Sequence, residues 1–281
     1  MDLRNLGLPC NNRCVFCAQR GLDEASDSLQ TQLEPGLTAF IGGDPTVDGS
    51  LEDRVRAARD AGAERVLVQT NGRRLAYSAY LEQLVDAGVT HFDISLHGPE
   101  PRIHDYHTQS EGSFKQTVRG ILNVSKQPVA LSVTTVVTRS NFRHLDGIAR
   151  LLRKLQVKAW LLSAARPLGA ALTDSSAVPP RLGMLPRYLK PAIRDAHGIE
   201  MTFSGIPACV VPSPRAARFL NDDGRGLSRA EPCVHCSLQD NCTGPALGYP
   251  PRSAAEDLTP FETPIELRGP SAVYAGLGVT E

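Results

Sequence analysis

Short apolar segments alternate with longer amphipathic segments through most of this 281-residue chain. A short apolar run between turn signals indicates a buried strand, and strands that alternate with amphipathic helices are typical of a parallel sheet. On this basis the sequence predicts seven strands: Leu3–Leu8, Leu37–Ile41, Arg65–Gln69, His91–Ser95, Val129–Val137, Lys158–Leu162 and Glu200–Phe203.

Helices are predicted between the strands, at Ser50–Ala61, Leu75–Ala87, Ser113–Ser125, Phe142–Leu155 and Leu185–Ala196. Ser50 and Ser113 stand where N-cap side chains are expected, and Gly62, Gly88 and Gly198 stand where helices are expected to end. The predicted fold class is α/β, a partial (β/α)6-type parallel barrel. Catalytic residues should then lie at the carboxyl ends of its strands.

Composition narrows the function classes. Lys plus Arg and Asp plus Glu number 30 each, which argues against nucleic acid as a partner. There is no long apolar run, and the chain opens with Met1-Asp2-Leu3-Arg4, so neither secretion nor a membrane partner is expected. The seven cysteines fall into two tight groups. Their odd number and their grouping indicate metal ligation in a reducing, cytoplasmic compartment rather than a disulfide framework.

The first cysteine group is Cys10, Cys14 and Cys17, directly after the first predicted strand. Three thiolates can hold a cubane iron–sulfur cluster and leave one iron open. A zinc site or three buried thiols are the alternatives for such spacing. Phe16 supplies an apolar ring beside the last cysteine, where it could shield a cluster from water.

This Cys-x3-Cys-x2-Cys segment resembles the radical S-adenosylmethionine (SAM) superfamily, and the resemblance covers Leu3 to Gly205. It implies a [4Fe–4S] cluster on the three cysteines, with SAM bound to the open iron through its amino and carboxylate groups. An electron passed from the cluster would split SAM into methionine and a 5'-deoxyadenosyl radical that abstracts hydrogen from a substrate. A flavodoxin- or ferredoxin-type electron donor is the implied partner.

A glycine pair follows the second strand, in Gly42-Gly43-Asp44-Pro45-Thr46. Glycines let backbone carbonyls approach a ligand that a side chain would block. The segment resembles the Gly-Gly-Glu-Pro motif of the superfamily, which contacts the SAM amino group, but it carries Asp44 in place of Glu. Taken alone, it could be an ordinary turn.

Three further SAM contacts are predicted at the next strand ends: Thr70, Ser95 and Arg139. Thr70 and Ser95 match small polar groups beside the SAM ribose and methionine in the superfamily, and Arg139 could pair with the SAM carboxylate. Each has a structural alternative, a strand-ending turn or a surface arginine. A cluster of histidines after the fourth strand is not assigned to catalysis, since hydrogen abstraction by a radical needs no base.

The second cysteine group is Cys209, Cys233, Cys236 and Cys242. Its Cys-x2-Cys-x5-Cys core resembles the SPASM and Twitch subdomains, which implies a second, auxiliary [4Fe–4S] cluster. The cluster is closed if Cys209 is a ligand and open if it is not, and a structural zinc site is the alternative. The predicted division is a core barrel over 1–204, a cluster subdomain over 205–244 and a tail over 245–281, loosely ordered from Tyr249 with one strand at Ile265–Leu267.

Three functions are compatible with these motifs. The first is a radical SAM enzyme that modifies a peptide (a RiPP-type maturase), with a separate leader-peptide recognition protein, because little sequence precedes Leu3. The second is the same chemistry on a small molecule, such as a nucleotide, a sugar or an antibiotic precursor. The third is a non-enzymatic zinc-binding protein.

Overall fold

Eight parallel strands form one sheet and lie side by side in chain order. The computed structural model describes residues 3–7, 9–19, 36–166, 168–172, 179–220, 231–239, 242, 244–246 and 248–269. The strands are β1 Leu3–Asn5, β2 Leu37–Ile41, β3 Arg65–Thr70, β4 His91–Ser95, β5 Ala130–Val137, β6 Ala159–Ala164, β7 Glu200–Ser204 and β8 Arg218–Phe219.

Seven α-helices accompany the strands in the described ranges: α1 Leu51–Asp60, α2 Ser78–Ala87, α3 Pro101–Thr108, α4 Ser113–Val124, α5 Leu145–Lys154, α6 Leu185–Asp195 and α7 Pro251–Asp257. Within these ranges β1 and β8 are the two edges of the sheet, which is therefore not closed. The prediction of a partial parallel barrel is confirmed. None of the described helices is long and apolar enough to cross a membrane.

The helices cover one face of the sheet and enclose the main core. Phe40, Phe92, Val133 and Trp160 point to this face from four different strands, and each is fully buried. Burial of one such side chain contributes about 1.5–3 kcal/mol to the free energy of folding. The indole nitrogen of Trp160 donates a hydrogen bond of 2.9 Å to Thr135 Oγ1, which satisfies its one polar atom.

The opposite face of the sheet carries a polar row. Side chains alternate between faces along a strand, and parallel register places Gln69, Asp93 and Ser132 side by side on β3, β4 and β5. Asp93 is buried and accepts hydrogen bonds from Ser132 Oγ at 2.6 Å, Thr134 Oγ1 at 2.7 Å and Gln69 Nε2 at 3.4 Å. The interior of the half-barrel therefore combines this buried polar row with a small apolar cluster of Leu37, Ala39 and Leu67.

Several predicted boundaries are wrong. The first strand ends at Asn5 because Asn5 Oδ1 accepts a hydrogen bond from the amide of Gly7, whose φ is +92°; Leu8 lies outside the described residues. The strand predicted at Ile265–Leu267 is absent from the described segment 248–269, where Arg268 forms a single parallel bridge to Arg218. α3, α7 and β8 were not predicted.

Ser50 stands at the N-cap of α1 as predicted, but neither predicted serine makes a capping bond. Ser50 precedes α1, but its hydroxyl makes no capping bond and instead donates to Asp48 Oδ1 at 2.8 Å. Ser113 is the first residue of α4 rather than its N-cap. The carboxylate of Asp105 in α3 accepts from the amides of Gly112 and Phe114 at 2.8 and 2.7 Å, so a neighbouring helix caps α4.

The segment from Tyr249 to Leu258 packs on the barrel, so the prediction of a loosely ordered tail is wrong there. Tyr249 is 4% exposed; its Oη accepts from the Leu182 amide at 2.8 Å and donates to Asp257 Oδ2 at 2.5 Å. Arg181 adds an ion pair with Asp257 at 2.7 Å. These bonds join α7 to the segment that precedes α6.

Candidate cofactor site

The Cys10–Cys17 segment leaves the carboxyl end of β1 and lies against the end of α3. The amides of Arg13 and Val15 donate to the carbonyls of Thr108 and His107 at 2.9 and 3.0 Å, and the amide of Ala170 donates to Cys17 O at 2.9 Å. Two elements that are distant in sequence therefore hold the cysteine loop. The loop is a fixed part of the barrel rim.

The three thiols occupy an environment that favours a cationic metal group. Burial raises the pKa of Cys14, and the neighbouring thiols of Cys10 and Cys17 raise it further. Burial also raises the pKa of Cys10, while a hydrogen bond to its Sγ from the amide of Asn12 lowers it. Thiolates must form for ligation, and iron ions would supply positive charge directly at these sulfurs. A [4Fe–4S] cluster fits this donor set.

N–H donors already face the sulfur of Cys10. The Asn12 amide lies 3.4 Å from Cys10 Sγ, and Asn71 Nδ2 lies 3.8 Å from it. Hydrogen bonds to ligand sulfurs are among the factors that set the potential of iron–sulfur clusters. Among the described residues, no group of three or more Cys, His, Asp or Glu side chains has the geometry to hold a single metal ion.

The Gly42–Pro45 segment follows β2 and lies beside the cysteine loop. The amide of Asp44 donates to Pro9 O at 2.8 Å, so this loop is tied directly to the residue before Cys10. A Cβ on Gly42 would stand 1.8 Å from Asn5 Oδ1, at a φ of +91°. Only glycine permits this close approach of the two strand ends.

The carboxylate of Asp44 points inward and is fully engaged. It is 1% exposed and accepts from Thr46 N at 2.9 Å, Thr46 Oγ1 at 2.6 Å, Thr70 Oγ1 at 2.9 Å and Asn71 N at 2.9 Å. The hydroxyl of Thr70 is thereby committed as a hydrogen-bond donor to Asp44. Of the predicted SAM contacts, Asp44 and Thr70 have side chains that link β2 to β3. The backbone of Asp44 is also bonded, its amide to Pro9 O and its carbonyl to the Val47 amide at 3.0 Å, so a ligand would have to use the second lone pair of that carbonyl.

The other two predicted contacts lie further around the rim. Ser95 ends β4 and is half-buried, and Arg139 is an exposed residue after β5. Thr138 and Ser140, on either side of Arg139, are held by His107, whose Nε2 lies 2.9 and 2.7 Å from their hydroxyl oxygens. Because a carbonyl oxygen can only accept, His107 Nδ1 donates to Ile103 O at 2.7 Å.

His97 and His104 at the rim are buried, and burial favours the neutral form of both rings. Burial lowers the pKa of His97 well below its ordinary value, with further lowering by His104 and His107. The ring of Phe16 meets His97 edge to face, with centroids 4.5 Å apart. This contact places the aromatic residue of the cysteine loop on the barrel wall, and the histidines therefore serve as packing partners of that loop.

The turn after β3 connects the two cofactor loops, and sequence reasoning missed most of it. Asn71 Nδ2 donates to Asn11 Oδ1 at 2.6 Å, and Arg73 and Arg74 bond to the cysteine loop and to Thr46 O, respectively. The pair of arginines after Gly72 was a visible signal. Their acceptors lie too far away in sequence for any local pattern to identify.

The second cysteine group surrounds one cavity. Cys209, Cys233, Cys236 and Cys242 all line it, together with apolar side chains that include Leu238 and Phe261. Burial, and then the thiol of Cys242, raises the pKa of Cys209 to about 12. The amide of Phe261 donates to Cys236 Sγ at 3.4 Å. Four converging thiols in an apolar pocket suit a second metal cluster.

Comparison with known proteins identifies the class of this fold and site. A family model described as the radical SAM superfamily matches residues 7–152, which include the first cysteine group and strands β2 to β5. The chain belongs to the radical SAM superfamily of enzymes. Membership implies a [4Fe–4S] cluster and SAM as cofactors, and it decides against the non-enzymatic zinc-binding alternative.

Three relatives illustrate the range of named activities. The AdoMet-dependent heme synthase of Oleidesulfovibrio alaskensis is 30% identical over 58% of this chain and 44% of that protein. The probable GTP 3',8-cyclase of Sulfurisphaera tokodaii is 28% identical over 60% and 57%, and the PqqA peptide cyclase of Bradyrhizobium diazoefficiens is 26% identical over 63% and 49%. The chain spans about half the length of these relatives.

Two solved structures share the fold. The anSMEcpe enzyme with bound AdoMet and the Kp18Cys peptide superposes with a TM-score of 0.55 at 16% identity, over 71% of this chain and 62% of that one. SuiB of Streptococcus suis bound to precursor peptide SuiA gives a TM-score of 0.54 at 11% identity, over 71% and 47%.

Proposed function

We propose that Cys10, Cys14 and Cys17 hold the [4Fe–4S] cluster that binds SAM, and that Cys209, Cys233, Cys236 and Cys242 hold an auxiliary [4Fe–4S] cluster. The observation that supports both assignments is the convergence of the cysteines, three on a loop fixed at the barrel rim and four around one cavity. Because Cys209 lines that cavity with the other three, the auxiliary cluster is proposed to be closed.

When bound, the cluster and SAM supply the reductive formation of a 5'-deoxyadenosyl radical. The chain contributes orientation and exclusion of water. We assign SAM contacts to the backbone of Gly42, Gly43, Asp44, Pro45 and Thr70, since the polar side chains of Asp44 and Thr70 are satisfied by protein groups. Ser95 and Arg139 remain proposed side-chain contacts, to the ribose or methionine and to the carboxylate.

The proposed substrate is a peptide, as for a RiPP-type maturase. The four-cysteine cavity after the barrel supports it, and one relative is named a peptide cyclase. A separate leader-peptide recognition protein and a flavodoxin- or ferredoxin-type electron donor complete the proposed set of partners. None of the seven cysteines is in a disulfide, which supports a reducing, cytoplasmic compartment.

A small-molecule substrate is the second candidate. Relatives named heme synthase and GTP 3',8-cyclase favour it. Both candidates require the same two clusters, so iron content tests the cofactors and leaves the choice of substrate to a separate measurement.

The cofactor assignment is tested by anaerobic reconstitution with iron and sulfide. Two cubanes give roughly eight irons per chain, and about four should remain in a Cys10/Cys14/Cys17 triple alanine variant. The matched control replaces Cys209, Cys233, Cys236 and Cys242 by alanine, which should also leave about four. With dithionite and SAM, 5'-deoxyadenosine should form in the control and not in the triple variant. A triple variant that keeps all its iron contradicts the assignment.

The substrate class is tested with fractions of an extract of the source organism. Fractions that stimulate 5'-deoxyadenosine formation by the reconstituted enzyme are treated with a protease, which is then inactivated. Loss of stimulation indicates a peptide, whereas stimulation that survives the protease indicates a small molecule and overturns the peptide proposal.

A further inference from the structure

Two successive arginines leave the turn after β3 in different directions. Arg73 and Arg74 follow Gly72, at the start of a short 3-10 turn that leads into α2. Each side chain reaches one of the two loops that the proposed function assigns to the cofactors. Their separate partners make them a matched pair for experiment.

Arg73 reaches the cysteine loop. One terminal nitrogen of its guanidinium donates to Asn11 O and to Asn12 Oδ1, the latter at 2.8 Å, while its Nε donates to Gln116 Oε1 at 2.7 Å. All three acceptors are neutral amide oxygens. Within the described part of the chain Arg73 forms no ion pair, so its positive charge is not cancelled by a carboxylate.

Arg74 reaches the Gly42–Thr46 loop instead. Its terminal nitrogen donates to Thr46 O at 2.6 Å, an oxygen that also accepts from Tyr80 Oη at 2.9 Å. The guanidinium carbon lies 4.3 Å from the centroid of the Tyr80 ring, a cation–π arrangement. Arg74 therefore fixes the predicted SAM-binding loop, and among the described residues it forms no hydrogen bond with the cysteine loop.

We propose that Arg73 is a positioning residue and counter-charge for the cluster on Cys10, Cys14 and Cys17; the inference rests on that proposed ligand assignment. Its guanidinium is bonded to the two residues that directly follow Cys10. Reduction adds a negative charge to the cluster, and a fixed positive charge nearby stabilises the reduced state. Arg73 thus raises the reduction potential of this cluster and restrains the loop that carries its first ligand.

The experiment compares three reconstituted variants with the parent: Arg73→Met, Arg73→Lys and Arg74→Met. Midpoint potentials come from a redox titration followed by electron paramagnetic resonance, and cluster retention from the rate of iron loss to a chelator. The parent in this comparison and each variant carry alanine at Cys209, Cys233, Cys236 and Cys242, so that only the first cluster contributes in every sample. The Cys10/Cys14/Cys17 variant tests the ligand assignment separately.

Arg73→Met should shift the midpoint potential to lower values and lose iron several-fold faster than the parent. Arg73→Lys should keep the potential near that of the parent, because it keeps the charge, but lose iron faster, because Lys lacks the fork of donors. Arg74→Met should leave potential and iron retention unchanged and weaken SAM binding. If Arg73→Met takes up no iron, the positioning role is supported and Arg73→Lys reports the potential.

An Arg73→Met variant with the potential and iron retention of the parent overturns the proposal, and so does an equal shift in Arg74→Met. Failure of the ligand assignment has a different signature, namely iron retention by the Cys10/Cys14/Cys17 variant. The two failures are therefore distinguishable.

Discussion

Asp44 shows what a shorter acidic side chain does in this barrel. The superfamily motif has Glu at this position, and the sequence alone did not predict which groups the shorter Asp44 carboxylate would contact. The carboxylate accepts two backbone amides and two hydroxyl groups, all from Thr46, Thr70 and Asn71. The residue therefore joins two strand ends, and a ligand that approaches this loop meets backbone rather than carboxylate.

Buried histidines make the stability of the chain sensitive to acid. Burial lowers the pKa of His104 to about 4, below its ordinary value of 6.5. Between these pH values the unfolded chain binds a proton that the folded chain does not, so stability is lost as pH falls from 6.5 towards 4. Urea unfolding measures the drop in the free energy of unfolding between pH 7 and pH 5. That drop should be about 2 kcal/mol smaller in the His104→Gln variant than in the parent.

The matched control for this histidine is the exposed His197. The His197→Gln variant should keep the full pH dependence of the parent, since it leaves every buried imidazole in place. Equal pH dependence in the His104→Gln variant and the parent would contradict the prediction.

At the scale of single elements, α4 depends on a cap from another helix. Asp105 accepts from the amides of Gly112 and Phe114 and from the hydroxyl of Ser113. Asp105→Ala should lower the free energy of unfolding by about 1–2 kcal/mol, as measured by urea titration, because amides at the helix start lose their acceptor. Ser50→Ala, at a position with no capping bond, should cost less than about 0.5 kcal/mol.

Equal costs for the two alanine variants would refute the capping assignment. The sequence predicted a serine beside each helix, Ser50 and Ser113, as the capping residue. Comparing the two alanine variants therefore tests whether the distant Asp105 is the true cap of α4. Asp105 lies nine positions before Phe114 and belongs to α3, so no local rule identifies it.

Sequence patterns were reliable where burial sets the structure. The strands from β2 to β7 lie within two residues of their predicted bounds, because alternation and apolar runs report burial directly. α3 was missed because its eight residues, Pro101–Thr108, carry two histidines and few apolar side chains. The turn over Thr70–Arg74 was recognised only in part, since its bonds to Asn11 and Asn12 span about sixty residues.

At the scale of the whole molecule, one hydroxyl group joins the region after the second cysteine group to the barrel. Tyr249 Oη bonds both to the buried amide of Leu182 and to Asp257. Tyr249→Phe leaves that amide without its partner, at a cost of about 1–3 kcal/mol in the free energy of unfolding. Urea titration of the parent and the variant measures the difference.

Tyr77→Phe is the control, because the Tyr77 side chain is 65% exposed. This variant should unfold as the parent does. If Tyr249→Phe also unfolds as the parent does, the hydroxyl bonds add nothing measurable, and α7 is held to the barrel by the Arg181–Asp257 ion pair and apolar contacts.

The hydrogen bond from the Ala170 amide to Cys17 O bears on when, during synthesis of the chain, the cluster can be inserted. The cysteines of the first group leave the ribosome early, whereas Asn71, Thr108 and Ala170, which fix their loop, are translated later. At ordinary translation speeds the roughly 150 residues between Cys17 and Ala170 take about 8–30 s. During that interval the thiols are exposed to oxidants and stray metals, so faithful cluster delivery has to wait until the barrel is complete.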